Sequence, residues 1–291
     1  MQVVLHAGAH VTDEDRLITC LVDNAGMLAE RGTIVPKPDD YRILLRDIVN
    51  AATQNGVSPE ARDVILDAVL PGEEEAERVI LSNDSFFGTH KMAVKRMFYP
   101  AACARLEAMR KIFPDDEVEL FFAVRNPATF MPALLAMTNF NTIDDVFRGY
   151  DPFSFRWSEL FERIRAQVPD IPITVWCNED TPLIWGEVVR EMAALDATVC
   201  FEGEFSLLSE IMTETGMKRF HAYMGEHPGM SEIQKRRVIS AFLDKYADEE
   251  AVEEEYDIDG WTEDKINQLT DIYEDDIMAI PQVPGVTMIT P

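Results

Sequence analysis

The chain has 291 residues, with 26 basic against 53 acidic side chains and a formal net charge of -27. A surface this acidic repels nucleic acid and anionic membrane, and it handicaps binding of any multiply charged nucleotide unless cations are gathered locally. Hydrophobic residues at 47% and charged residues at 27% fit a globular α/β domain with or without an extension, and with no apolar run of membrane-spanning length the chain reads as cytoplasmic.

The first strand is predicted over residues 2–6. It runs into a loop containing Gly8 and then a helix predicted over 13–31, where Leu17, Ile18, Leu21, Val22, Met27 and Leu28 have helical spacing. Thr12 is placed to cap that helix, with Asp15 three residues on, and the three carboxylates Asp13, Glu14 and Asp15 fall in its first turn. Gly32 stops it, and residues 33–35 make a short extended piece ended by Pro36. Helices are predicted over 40–53 and 58–70. Pro71-Gly72 and the acidic residues 73–77 turn the chain into a strand over 78–81.

A helix over 100–113 precedes a strand over 118–124, a helix over 155–168 precedes a strand over 173–177, and a helix over 182–195 follows. Short apolar strands alternating with helices give parallel strands and right-handed crossovers. The fold class is therefore α/β, a three-layer arrangement with a parallel sheet flanked by helices on both faces. After Phe205, helical segments over 207–223, 231–246 and 263–280 dominate. Residues 1–205 read as the core, and 206–291 as an acidic, mainly helical extension packing on it. Within 248–276 Lys265 is the only basic residue; the carboxylate spacing fits no calcium loop and reads as a solvated face, with a loop around 253–260.

Cys20, Cys103, Cys177 and Cys200 are far apart and form no CxxC pair, so free thiols are expected, three of them in apolar contexts, and no zinc site. His6-x-x-x-His10 crosses a strand–loop junction instead of lying on a helix, so no metal is expected there either. Phe155, Leu160, Phe161 and the four tryptophans, Trp157, Trp176, Trp185 and Trp261, read as packing residues.

Ligands of open parallel sheets bind outside the carboxyl ends of the strands, and three such ends carry polar groups. After the first strand, the phosphate-loop pattern G-x-x-x-x-G-K-[ST] started at Gly8 is not met, because Asp13 and Glu14 hold its Gly and Lys positions. After the second comes Ser82-Asn83-Asp84-Ser85-Phe86-Phe87-Gly88. After the third comes Arg125-Asn126-Pro127.

The order strand, His6-x-Gly8-x-His10, helix resembles the bacterial sulfotransferases. Against their 5′-phosphosulfate loop, His6, Gly8, His10, Thr12 and Leu17 agree; Val11 stands at the phosphate-binding Lys, and Asp13, Glu14, Asp15 and Arg16 stand at Gly, Thr, Thr and Ser. Arg125-Asn126-Pro127 is similar to the family's 3′-phosphate motif, with Ala133 at its Ser position. The stretch from Ser82 to Gly88 is similar to a Ser-x-Glu-x-x-x-Gly segment, with Asp84 at the Glu. Weaker likenesses at Tyr99-Pro100, Arg105-Leu106, residues 172–180, Trp185 and Pro284-Gly285-Val286 carry the resemblance in order over most of the chain.

The resemblance implies a P-loop NTPase/sulfotransferase-like fold and, in an active member, 3′-phosphoadenosine 5′-phosphosulfate as cofactor. It implies cofactor contacts from His6, Gly8, Thr12 and Arg125, and His10 or Asp84 as the base acting on a hydroxyl of a small-molecule or carbohydrate acceptor. Val11, the Asp13–Asp15 carboxylates and Ala133 depart from that pattern and point to a non-catalytic descendant serving as a binding or interaction protein. The alternative is an active sulfotransferase with a rebuilt donor site, drawing on His90, Lys91, Lys95 and Arg96 as local cations. Carboxylates folded onto the helix N-terminus favour the first reading; an open cleft on which Arg125 and Lys91 or Arg96 converge favours the second.

Overall fold

The structure, a computed structural model, describes residues 1–70, 72, 76–248, 251 and 258–291. Residues 71 and 73–75 of the predicted turn, and 253–257 of the predicted acidic loop, lie outside them. Among the described residues, six strands form one all-parallel sheet: β1 (Gln2–His6), β2 (Thr33–Ile34), β3 (Arg78–Ser82), β4 (Glu117–Val124), β5 (Ile173–Cys177) and β6 (Val286–Ile289), in the order β2-β3-β1-β4-β5-β6. The α/β expectation is met at this level.

Side-chain alternation along the strands divides the core in two. Val3, Leu5, Val79, Leu81, Leu120, Phe122 and Val175 face one layer, and Val4, Ile80, Phe121, Ala123 and Trp176 face the other. The first layer is packed by α3 (Pro38–Asn55), α4 (Ala61–Val69), α5 (Ala102–Ile112), α6 (Pro127–Ala136), α7 (Ile143–Phe147) and α8 (Trp157–Gln167). The second is packed by α1 (Arg16–Asp23), α2 (Ala25–Ala29) and α9 (Thr181–Ala193). Because both faces are covered, the central strands are nearly continuous apolar runs. All four tryptophans are buried, as are Phe155, Leu160 and Phe161. The cysteines are free, and only Cys200 is exposed.

Residues 206–291 divide. The helices α10 (Ser206–Ile211), α11 (Glu214–Glu226) and α12 (Glu232–Tyr246) enclose a small core of their own around Phe220. By contrast, α13 (Glu263–Ala279) packs on α6 and α8, and the chain then enters the central sheet as β6 beside β5. Asp276 of α13 accepts the amide N–H of Trp157 at 2.6 Å, so it caps α8 from a distant part of the sequence. The Trp261 indole N–H donates to the Ala128 carbonyl at 3.0 Å.

Several element boundaries differ from expectation. The first helix starts at Arg16, because Glu14 and Asp15 adopt left-handed backbone with φ of 50° and 64°. The three carboxylates therefore precede the first turn. Thr12 does not cap it; its hydroxyl donates to the Ala9 carbonyl at 2.7 Å. The helix predicted to reach residue 31 breaks at Asn24, whose amide donates to the Cys20 and Glu202 carbonyls, both at 2.8 Å. The helix predicted over 207–223 breaks before Thr213, which caps α11 by accepting the Gly216 N–H.

Candidate functional site

The chain leaves β1 for β2 and β3 on one side and returns for β4, β5 and β6 on the other, so the direction of winding reverses at β1. Such a reversal opens a crevice beyond the carboxyl ends of the strands, and the loop after β1 lies there.

That loop is held by its own backbone and by two arginines. The Ala9 N–H donates to the Ala123 carbonyl at 2.9 Å and the Ala123 N–H to the Gly8 carbonyl at 2.8 Å, extending the β1–β4 pairing past His6. Gly8 has φ +116°, and a Cβ there would stand 3.1 Å from the His10 amide nitrogen, so only glycine passes without strain. Val11 sits at φ 53°, an unfavourable place for a β-branched residue. Its carbonyl accepts from Nη1 of Arg125, while Arg125 Nε donates to Thr129 Oγ1 at 3.0 Å. Asp13 accepts the Leu17 amide N–H at 3.0 Å. Asp15 turns away and accepts a two-pronged pair from Arg42 at 2.6 and 2.8 Å, which holds its carboxyl below the usual range. The exposed Glu14 lies 3.3 Å from Arg16.

Two histidines from this segment are buried. His6 is 1% exposed, stacks on Trp176 and makes a 2.9 Å hydrogen bond through Nδ1 with Ser82 Oγ; burial lowers its pKa. His10 is 0% exposed. The Tyr99 hydroxyl accepts its amide N–H at 2.9 Å and lies 2.8 Å from its Nδ1, while Nε2 has no hydrogen-bond partner. Burial, reinforced by neighbouring His90, pushes the His10 pKa down to about 4 against the opposing Asp84 carboxylate and Gly88 carbonyl. The His10 ring centroid lies 4.4 Å from that of His90. Donor atoms of His10, Asp84 and His90 all fall within 4.8 Å of one another, and Asp84 and His90 are partly exposed.

On another side of the loop a cleft of about 690 Å³ is lined by Thr12, Asp13, Arg16, Arg125, Glu179 and Glu210, with Trp185 and Leu207 among its apolar contributors. Its cations are engaged: Arg16 donates to Glu210 at 2.8 Å, and Arg125 as above. Glu179 accepts the Asn126 amide N–H at 2.7 Å and the Tyr273 hydroxyl at 2.9 Å, and burial raises its pKa.

The residues expected to share one site therefore divide. His10 and Asp84 come together, joined by His90. Thr12 and Arg125 meet on the cleft. Gly8 is buried in the loop, and His6 is enclosed in the core instead of facing the cleft. Lys95 and Arg96 are exposed, and Lys91 lies 5.6 Å from the Phe140 ring. None of the three lines the cleft among the described residues. The tyrosine that holds His10 stood only as a weak family likeness in the sequence, and His90 only as a local cation. Their positions depend on the turn after β3, which spacing alone does not reveal. Comparison of the chain with protein-family models, curated proteins and solved structures gives no match.

Proposed function

We propose that this chain is a sulfotransferase-like protein that no longer takes the activated-sulfate donor and serves as a binding protein, receiving a polar ligand in the cleft at the carboxyl ends of the strands. The observation that carries this reading is the internal use of the donor groups: the Arg125 guanidinium holds the Val11 carbonyl and Thr129, and Asp13 occupies an N–H at the start of α1. A phosphosulfate would have to displace both and approach Asp13, Glu179 and Glu210, with Arg16 already paired to Glu210.

Each charge-assisted hydrogen bond withheld from a ligand is worth about 1.5–3 kcal/mol. Loss of the family's Lys and of two hydroxyl contacts then weakens donor binding by several orders of magnitude, at about 1.4 kcal/mol per tenfold. A carbohydrate or other polyol matches the mixed carboxylate, amide and indole lining better than a polyanion does. The alternative, an active sulfotransferase with Arg125 on the 3′-phosphate and His10 or Asp84 as base, requires Arg125 to release Val11. Calorimetric titration with 3′-phosphoadenosine 5′-phosphate separates the two. The expected result is no saturation into the millimolar range; micromolar binding that disappears in Arg125→Met would establish the transferase reading instead.

A further inference from the structure

We infer that His10, Asp84 and His90 form a binding site for a divalent transition-metal ion of the zinc type, set between the loop after β1 and the turn after β3. This goes beyond the cleft and does not rest on the reading given for it.

The donor set is the first argument. Two imidazoles and one carboxylate suit zinc and its neighbours, whereas magnesium and calcium favour all-oxygen surroundings. The three donor atoms lie within 4.8 Å of one another. Donors around a tetrahedral zinc at about 2.0–2.2 Å are about 3.3–3.6 Å apart. Reaching that spacing would require movement of Asp84 and His90, the two partly exposed members.

The second argument is the state of His10. Its ring is fully enclosed, Tyr99 holds Nδ1, and Nε2 makes no hydrogen bond of ordinary geometry, although the Gly88 carbonyl lies close enough to the ring to act on it. A buried ring nitrogen without a hydrogen bond costs free energy unless something occupies it. A metal ligand uses one ring nitrogen while the other is fixed by a hydrogen bond that sets the tautomer and orientation, and the Tyr99 hydroxyl stands in that position. Tyr99 is itself 0% exposed and is packed against Phe87, Phe122 and Trp157, so the geometry of His10 is fixed before any ion arrives.

The third argument is access. Asp84 and His90 reach solvent, and the net charge of -27 draws cations toward the chain. Three protein donors leave a fourth position for water or a ligand atom, the arrangement of zinc sites that act as Lewis acids.

The test uses the full chain, stripped with a chelator and titrated calorimetrically with zinc chloride, with cobalt(II) as a spectroscopic substitute. The expected result is one zinc per chain and visible cobalt bands of a four-coordinate site with nitrogen and oxygen donors. His90→Ala and Asp84→Asn lie at partly exposed positions and are checked for native circular dichroism; each should weaken binding about 100-fold or more, and Tyr99→Phe about tenfold. A double variant of the remaining exposed histidines, His221→Ala with His227→Ala, should bind as the parent does. Absence of stoichiometric binding overturns the inference. So does binding that survives both His90→Ala and Asp84→Asn, or that is lost in the His221/His227 variant.

Discussion

Replacing Arg125 by methionine separates a loop clamp from a ligand-binding arginine. Methionine keeps most of the aliphatic stem in a position that is 6% exposed, and it removes the guanidinium that donates to the Val11 carbonyl and to Thr129 Oγ1. Charge-assisted hydrogen bonds are worth about 1.5–3 kcal/mol each. Val11 is only half-buried, so water replaces part of the lost interaction, and the expected destabilisation is about 2–4 kcal/mol. Val11 also loses the contact that holds its strained backbone, so the segment around residues 11–16 should become the first site of limited proteolysis. Urea unfolding measures the energy. Thr129→Val should cost about 1 kcal/mol, and Arg125→Lys should fall between wild type and Arg125→Met, because lysine keeps the charge without the planar fork. A loss below about 0.5 kcal/mol for Arg125→Met would refute the clamp.

The remaining expectations concern carboxylates. Asp276→Ala leaves the Trp157 N–H without its acceptor and should cost about 2–4 kcal/mol in urea unfolding. Asp276→Asn retains an oxygen for that N–H and avoids burying a charge, so it should lie within about 1 kcal/mol of wild type; equal losses for the two variants would refute the capping role. Asp15 has its folded pKa lowered by the Arg42 hydrogen bond, so its contribution is complete above the unfolded carboxyl range and disappears as pH falls through the folded value. Asp15→Asn should therefore flatten the acid limb of the stability profile, and an unchanged slope would refute the pairing. Asp276 has the opposite sign: burial raises its pKa, so the stability linked to its protonated form is present below the unfolded value and is lost as pH rises through the folded one.

The strands and most helices were legible because their apolar spacing is strong and their burial two-sided. β1 and β5 lie where the pattern puts them. What escaped was decided by contacts distant in sequence. α6 has Pro132 in its interior, which disfavours a helix, yet Pro127 stands at its first position where proline fits, Asn126 caps it and it packs under α13. β6 is four residues long and becomes a strand only by pairing with β5. The loop after β1 looked like the start of a helix because Asp13, Glu14 and Asp15 favour a first turn; Arg42 and Arg125, from other elements, hold it in a different conformation. For the same reason the sequence showed Arg125 and His10 as polar residues at strand ends but not what each one touches.

The late pairing of β6 also bears on how the chain reaches its fold. β5 carries one open edge until β6 arrives, and all of α9 to α13 lies between the two strands. Closing so long a loop is entropically slow. An apolar parallel strand such as β5, left unpaired meanwhile, is a template for pairing with other chains. The chain between them, residues 178–285, carries 26 acidic against 8 basic side chains, and a net charge of that size disfavours the association of partly folded copies.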